Sequence, residues 1–182
     1  MNPAWMMRTG RLAMHPVTGM DLADLVRLKG DPRSFATMLG GVRSAFRTSE
    51  ELAEEMALWG RCGFGMWSLH ELVDNRFAGV AGLMERADGR GVALRFALVP
   101  DRHGRGLASE AAGAVLRFAH ERVGLSRVVA VARADNLGSR NVLGAIGMRE
   151  AERFDRHGEP MIMYVSEPAT VDFTSKHVSI FS

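Results

Sequence analysis

At 182 residues, 47% hydrophobic and 24% charged, the chain has the size and composition of one globular domain with a buried core, which excludes a disordered or low-complexity polypeptide. A formal net charge of +2, with the basic residues scattered along the chain, leaves no electrostatic case for a nucleic-acid partner. Cys62 is the single cysteine, so an intrachain disulfide and a Cys-built metal centre are excluded, and no apolar run reaches the length of a membrane span.

The start of the chain carries no signal-peptide core, so a cytoplasmic protein is expected, with no membrane partner. The histidines at 15, 70, 103, 120, 157 and 177 form no H-E-x-x-H pattern, and no metal is expected. In chain order, residues 1–10 lack periodicity and read as a lead-in. Residues 11–15 make a short strand. Residues 21–29 place Leu22, Leu25 and Val26 at helical spacing, with Thr18 or Asp21 as cap and Gly30-Asp31-Pro32 as the stop. Thr48 followed by Glu51 is a capping-box pattern that starts a second helix, continued by Leu52, Met56 and Trp59 to Gly60. Between the two helices, residues 33–47 read as partly helical.

From Phe64 the period becomes extended. Residues 64–70, 76–86 and 92–99 read as an antiparallel meander, with Asp74-Asn75 and Asp88-Gly89 as its turns. The third strand ends at Pro100 and runs into the turn D-R-H-G-R-G-L-A-S. A helix over 109–123 follows, with Ala111, Ala112, Val115, Leu116 and Ala119 on one face and Gly124 at its end. Gly104 and Gly106 let the backbone bend and approach a ligand closely, and amides at the start of the helix suit a phosphate. A strand over 127–133, a helix capped by Asp135-Asn136 and closed by Gly147, and a hairpin of 148–154 with 160–165 around His157-Gly158 complete the pattern. Strand, helix and strand in succession predict a parallel crossover. The tail, 166–182, lies beyond these elements, with 177–181 readable as an edge strand or as coil.

This order resembles the GNAT superfamily of acyl-CoA-dependent N-acetyltransferases over residues 11–165. Two motifs carry the resemblance. The superfamily's [QR]-x-x-G-x-[GA] loop reads His103-Gly104-Arg105-Gly106-Leu107-Ala108 here, continued by Ser109-Glu110-Ala111; an N-x-x-S motif with a later G-[FM] reads Asn136-Leu137-Gly138-Ser139 and Gly147-Met148. With Gly63, Gly65, Met66 and Trp67 in the first meander strand, the chain is similar to the branch that acetylates protein N-termini, including ribosomal proteins (RimJ/RimL-like).

The resemblance implies an α/β (α+β) GNAT fold: a mixed central sheet of about seven strands flanked by four helices, in one domain over 11–165. It implies an enzyme that moves an acetyl group from acetyl-CoA to a primary amine, a protein N-terminal α-amine or a small-molecule amine, by direct attack in a ternary complex. The implied donor site comprises the backbones of Leu98 and Val99 for the pantetheine arm, residues His103, Gly104, Arg105, Gly106, Leu107, Ala108 and Ser109 for the pyrophosphate, Asn136 for a pantetheine amide and Arg140 for a phosphate. Ser139 is the candidate for stabilising or protonating the leaving thiolate. The sequence departs from the superfamily in three places. His103 replaces Gln or Arg, Leu143 stands where many members carry an acidic tyrosine, and Ala93 stands where relatives often carry a glutamate.

The general base is therefore open, with Glu85, Glu150 and Glu152 as candidates. Arg95 is mid-strand among apolar residues and needs a partner, either an internal carboxylate or an acidic group on the acceptor. A dinucleotide-binding reading of G-x-G-x-x fails because Ser109 occupies the third glycine position and the motif follows a meander. The alternative to an enzyme is a non-catalytic acyl-CoA-binding or sensing module. The late strands and the tail are where a homodimer would form.

Overall fold

β1 (Met7–Arg8) and β2 (Leu12–Pro16) lead into α1 (Leu22–Gly30), the one-turn α2 (Pro32–Phe35) and α3 (Ala45–Cys62). β3 (Met66–Glu71), β4 (Phe77–Glu85) and β5 (Val92–Leu98) follow as the meander. Then come α4 (Leu107–Arg117), β6 (Val128–Arg133), α5 (Leu137–Ala145) and the hairpin of β7 (Arg149–Arg156) and β8 (Glu159–Ser166). The computed structural model describes residues 2–86, 88–89 and 91–168. Readings of the tail beyond Pro168 lie outside the described residues.

The strands form one mixed sheet in the order β1-β2-β3-β4-β5-β6-β8-β7, antiparallel at every junction except β5–β6. Eight strands stand where about seven were expected. The additional one, β1, comes from the stretch read as a lead-in. Residues 3–5 form a 3₁₀ turn there, and the Trp5 ring lies 5.0 Å from that of Trp59 while its carbonyl accepts a bond from Trp67 Nε1 at 2.7 Å. An aromatic anchor to residues far along the chain orders a segment that has no periodicity of its own.

The second helix also departs from its expected start. Ser44, not Thr48, caps α3, its hydroxyl accepting from Arg47 N at 3.1 Å. Thr48 is buried inside the helix and donates to the Ser44 carbonyl at 2.9 Å. Both residues suit a cap, and burial of Thr48 decides between them. Past Gly60 the helix continues to Cys62 and stops at Gly63, which sits at φ 70°. Pro32 ends α1 as expected and also begins α2, where Asp31 is the cap.

Small residues bring α4 close to the sheet: Ala111 and Ala112 are fully buried, and Leu107 and Val115 pack with Leu83 and Leu94 in the larger core. On the other side, α1 to α3 pack Leu25, Leu28, Phe35 and Leu52 over Met66, Val80 and Ala97. The feature that positions the site is the parallel junction. β5 and β6 pair only at Val92↔Val128 and Ala93↔Val129, while β6 stays paired with β8 from Val128↔Ser166 to Arg133↔Met161. Beyond Ala93 the two parallel strands splay apart, and each turns an unpaired edge toward the gap. Among the described residues no helix is long and apolar enough to cross a membrane.

Candidate active site

Two recesses meet at this splay. The turn after β5 follows the splayed part of that strand. Gly104 and Gly106 hold φ of 71° and 74°, and Gly106 caps α4. The first backbone bond of the helix runs from Glu110 N to Gly106 O at 3.1 Å; among the described residues, no amide of residues 104–109 has a hydrogen-bond acceptor. Six consecutive N–H groups are therefore without a protein acceptor at the positive end of the α4 dipole. A Cβ at Gly104 would meet nothing within 4 Å, so the space before these amides is open.

The turn is braced from behind. Arg11 Nη1 donates to the Arg105 carbonyl at 2.7 Å and its Nε pairs with Glu110 at 2.6 Å. Buried Glu71, from the end of β3, pairs with Arg102 at 2.6 Å and Arg105 at 2.8 Å. These contacts engage the Arg105 carbonyl and the guanidinium groups of Arg11, Arg102 and Arg105, and leave the amides of residues 104–109 unbonded. Neither Arg11 nor Glu71 stands out in the sequence, because each acts on the turn from a distant strand.

The neighbouring strand end differs from expectation. The Leu98 carbonyl accepts from Ser34 Oγ at 2.8 Å and from His103 Nε2 at 2.9 Å, which uses both of its lone pairs. Val99 N donates to Ala78 O and Val99 O accepts from Arg102 N, both at 3.0 Å. The Leu98 carbonyl and both backbone groups of Val99 are therefore engaged within the protein. Earlier on β5 the strand faces β6 without pairing. The His103 ring is bonded back to the strand end at the Leu98 carbonyl.

Along the splay runs a slot of about 40 Å³, walled by Leu94 and Phe96 on one side and by Ala130, Ala132, Asn136 and Ser139 on the other. Asn136 Oδ1 accepts from Ser139 N and its Nδ2 donates to Thr37 Oγ1, both at 3.0 Å, so this side chain is helix cap and latch together. Leu143 lines the slot and is buried where a superfamily tyrosine would stand; Ser139 and Thr37 are the hydroxyl side chains on its wall. Arg140 does not reach for the turn. Its guanidinium binds Tyr164 Oη at 3.2 Å, the Ala134 carbonyl at 2.9 Å and Glu150 at 3.3 Å, bracing α5 against β8.

The second recess is a cavity of about 600 Å³ between α3, the 38–43 segment and the face of the meander. The ambiguous segment of the sequence thus becomes a wall. Buried Lys29 pairs with Glu51 and Glu55 at 3.0 Å each, and Arg43 pairs with Glu51 at 2.6 Å. Glu51 is therefore part of a buried network instead of a capping box. Burial opposes its ionisation, but hydrogen bonds from Arg43 and Lys29 outweigh that and hold its pKa below the usual value. Glu55 goes the other way: burial dominates and raises its pKa, with Lys29 only partly opposing, and its Oε2 has no hydrogen-bond partner.

Of the carboxylates expected as bases, Glu85 is at the rim of this cavity, exposed and paired with Arg61 at 2.7 Å. Glu150 lines neither recess. It accepts from Arg153 at 2.7 Å, Tyr164 at 3.1 Å and Arg140 at 3.3 Å, and Arg153 foremost lowers its pKa. Glu152, next to it on β7, is likewise exposed on the strand. Glu55 was not singled out in the sequence. The readable signal is a glutamate on the buried stripe of α3, between Leu52 and Leu58, opposite a lysine beside Leu28 on the stripe of α1.

A family model described as an acetyltransferase (GNAT) domain matches residues 11–149. Among solved structures, an acetyltransferase from Agrobacterium tumefaciens superposes with a TM-score of 0.79 at 24% identity, covering 89% of this chain and 94% of its own. A RimL ribosomal α-N-protein acetyltransferase in complex with coenzyme A gives 0.73 at 18%, covering 89% and 97%. A spermidine N-acetyltransferase from Vibrio cholerae in complex with CoA and spermine gives 0.72 at 12%, covering 86% and 95%.

Proposed function

We propose, for a chain that belongs to the GNAT acetyltransferase family and is an acetyl-CoA-dependent N-acetyltransferase, that its acceptor is a weakly basic primary amine, foremost the N-terminal α-amine of a peptide. The observation that carries the donor half is the run of six unpartnered amides at residues 104–109 beside the splayed strands. Those amides would hold the pyrophosphate, and the unpaired edges of β5 and β6 would hold the amides of the pantetheine arm, as a peptide is held by strand addition. The thioester end would then come to the slot at Asn136 and Ser139, where the larger recess opens.

From that recess the amine attacks the thioester carbonyl. A C–N bond forms, the C–S bond breaks, one proton leaves the amine and one is taken up by the departing thiolate. Ser139 would donate a hydrogen bond to the sulfur; in support, it lines the slot and its hydroxyl has no partner among the described residues. Glu55 is the better base: its raised pKa and its unpartnered Oε2 distinguish it from Glu150, whose pKa is lowered, and from exposed, paired Glu85. Deprotonating an α-amine of pKa near 7.7 to 8.0 at pH 7 takes only about 1 kcal/mol, whereas a lysine near 10.4 takes more than about 4 kcal/mol. One buried carboxylate matches the first task and not the second.

Thiol release from acetyl-CoA, followed with a thiol reporter across N-terminal peptides, lysine side-chain analogues and small amines, tests the proposal. Peptide N-termini are expected to give the highest kcat/KM. Faster turnover of lysine analogues would overturn the acceptor assignment, and tight acetyl-CoA binding without turnover of any amine would favour a sensing module.

A further inference from the structure

Arg95 stands on β5 opposite Gly82, on the strand face turned toward α3, and its side chain lines both the slot and the larger recess. It is half-buried, and it has no hydrogen bond or ion pair among the described residues. The internal carboxylate partner expected for it is not supplied. Glu51 and Glu55 are its acidic neighbours, but they are bonded to Lys29 and Arg43. Burial, and then the charge of Arg43, disfavour its cationic form. The recess as a whole is lined by six basic side chains against four carboxylates. Beside its cross-strand partner Gly82 the space is taken by Met66, and the Arg95 side chain is part of the cavity lining.

A cation taken from water without a counter-charge is unfavourable unless a ligand supplies one. A guanidinium offers paired, planar donors that match a carboxylate. We propose that Arg95 is a carboxylate-binding residue of the acceptor site, so that the amine acetylated here carries an acidic group. The inference rests on the acetyl-transfer reading and narrows it. An excess of positive charge in the recess opposes a polyamine, and Arg156, at the rim and without an ion pair among the described residues, adds to that excess.

The test is kcat/KM for matched acceptors: alanine against alaninamide, the peptide Ala-Asp-Ala-amide against Ala-Asn-Ala-amide, and spermidine. In the wild type the acidic member of at least one pair is expected to exceed its neutral partner by about tenfold or more, and spermidine to be the poorest. Arg95→Gln is expected to bring that ratio to about twofold or less, and Arg95→Lys, which keeps charge without the fork, to an intermediate ratio. If Arg95→Gln fails to fold, the Arg95→Lys ratio alone decides. Equal rates within both pairs, a preference for the amides or for spermidine, or an acid preference that survives in both variants would overturn the inference while acetyl transfer stands. No thiol release with any acceptor would overturn acetyl transfer itself, and this inference with it.

Discussion

In the proposed donor site, contacts would come from the main chain of one continuous turn, residues 104–109, braced by Arg11 and Glu71. In the proposed acceptor site, they would come from side chains on α1, α3, β4, β5 and the 38–43 segment, held by a network in which Lys29 meets Glu51 and Glu55 across two helices. A backbone cradle depends on dihedral angles, so it tolerates His103 in place of a glutamine or arginine. A cleft built from side-chain pairings changes character with single substitutions. On the proposed reading, the donor half would set the reaction and the acceptor half its substrate.

The sharpest way to break this contrast is Gly106→Val. The residue sits at φ 74°, where a β-branched side chain is strained, and its Cβ would come to 3.5 Å from Nη2 of Arg11, the side chain that braces the turn. Acetyl-CoA affinity by calorimetry is expected to fall by about a thousandfold or more, roughly 4 kcal/mol. Unchanged affinity in a variant that circular dichroism shows to be folded would mean that side chains hold the donor.

Next in size is Lys29→Met. Removing the cation leaves Glu51 with Arg43 and leaves Glu55 buried with no counter-charge in contact. Urea unfolding is expected to show a loss of about 3–5 kcal/mol, as when one partner of a buried ion pair is deleted. A loss below about 1 kcal/mol would show that the acceptor wall does not depend on this pairing.

The same contrast explains what could be read from the sequence. The meander, the α4 helix and the late hairpin were legible because turns such as His157-Gly158, at φ 54° and 82°, and the alanine stripe of α4 are local signals. The 104–109 turn was legible for the same reason. The strand at Met7–Arg8 and the start of α3 at Ala45 were not, since Trp5 on Trp59 and the burial of Thr48 are decided by distant partners. Glu55 stayed hidden because a glutamate in a helix looks solvated until the lysine facing it is known. Arg95 announced itself as an anomaly, but its lack of an internal partner became visible only when both neighbouring carboxylates proved to be engaged.

Glu55→Gln tests the chemistry of the acceptor side with little change in shape. At saturating acetyl-CoA, kcat is expected to fall by about a hundredfold, the scale of general-base catalysis. The wild-type rate should rise with pH through an acid limb above the usual carboxylate range, because burial raises the Glu55 pKa. That limb should vanish in the variant. A retained limb would assign it to another group and return the base to Glu85 or to water.

The smallest expected effect comes from a cluster that touches neither recess and so measures the scaffold alone. Asp21 is buried where the chain enters α1, with Oδ2 accepting from Thr18 N at 2.7 Å and Thr18 Oγ1 at 2.9 Å. His15 and His70 face its Oδ1 at 3.7 and 4.0 Å. Burial works against the carboxylate, but His70 and Thr18 outweigh it and lower its pKa from 3.8 to about 2. A depressed pKa means stability that is present above the unfolded value and lost as pH falls from about 4 to about 2, amounting to about 2 kcal/mol. His70 is shifted upward, chiefly by Asp21, so its contribution is present below the ordinary histidine value and lost as pH rises through its folded pKa. Unfolding free energy should therefore carry a contribution from this cluster that is greatest between about pH 4 and 6.5. Asp21→Asn should remove both slopes together, because one carboxylate causes the histidine shift as well as its own. A variant that keeps the wild-type slopes would place the pH dependence elsewhere, with buried Glu55 of the acceptor wall, whose pKa is raised, as the next candidate.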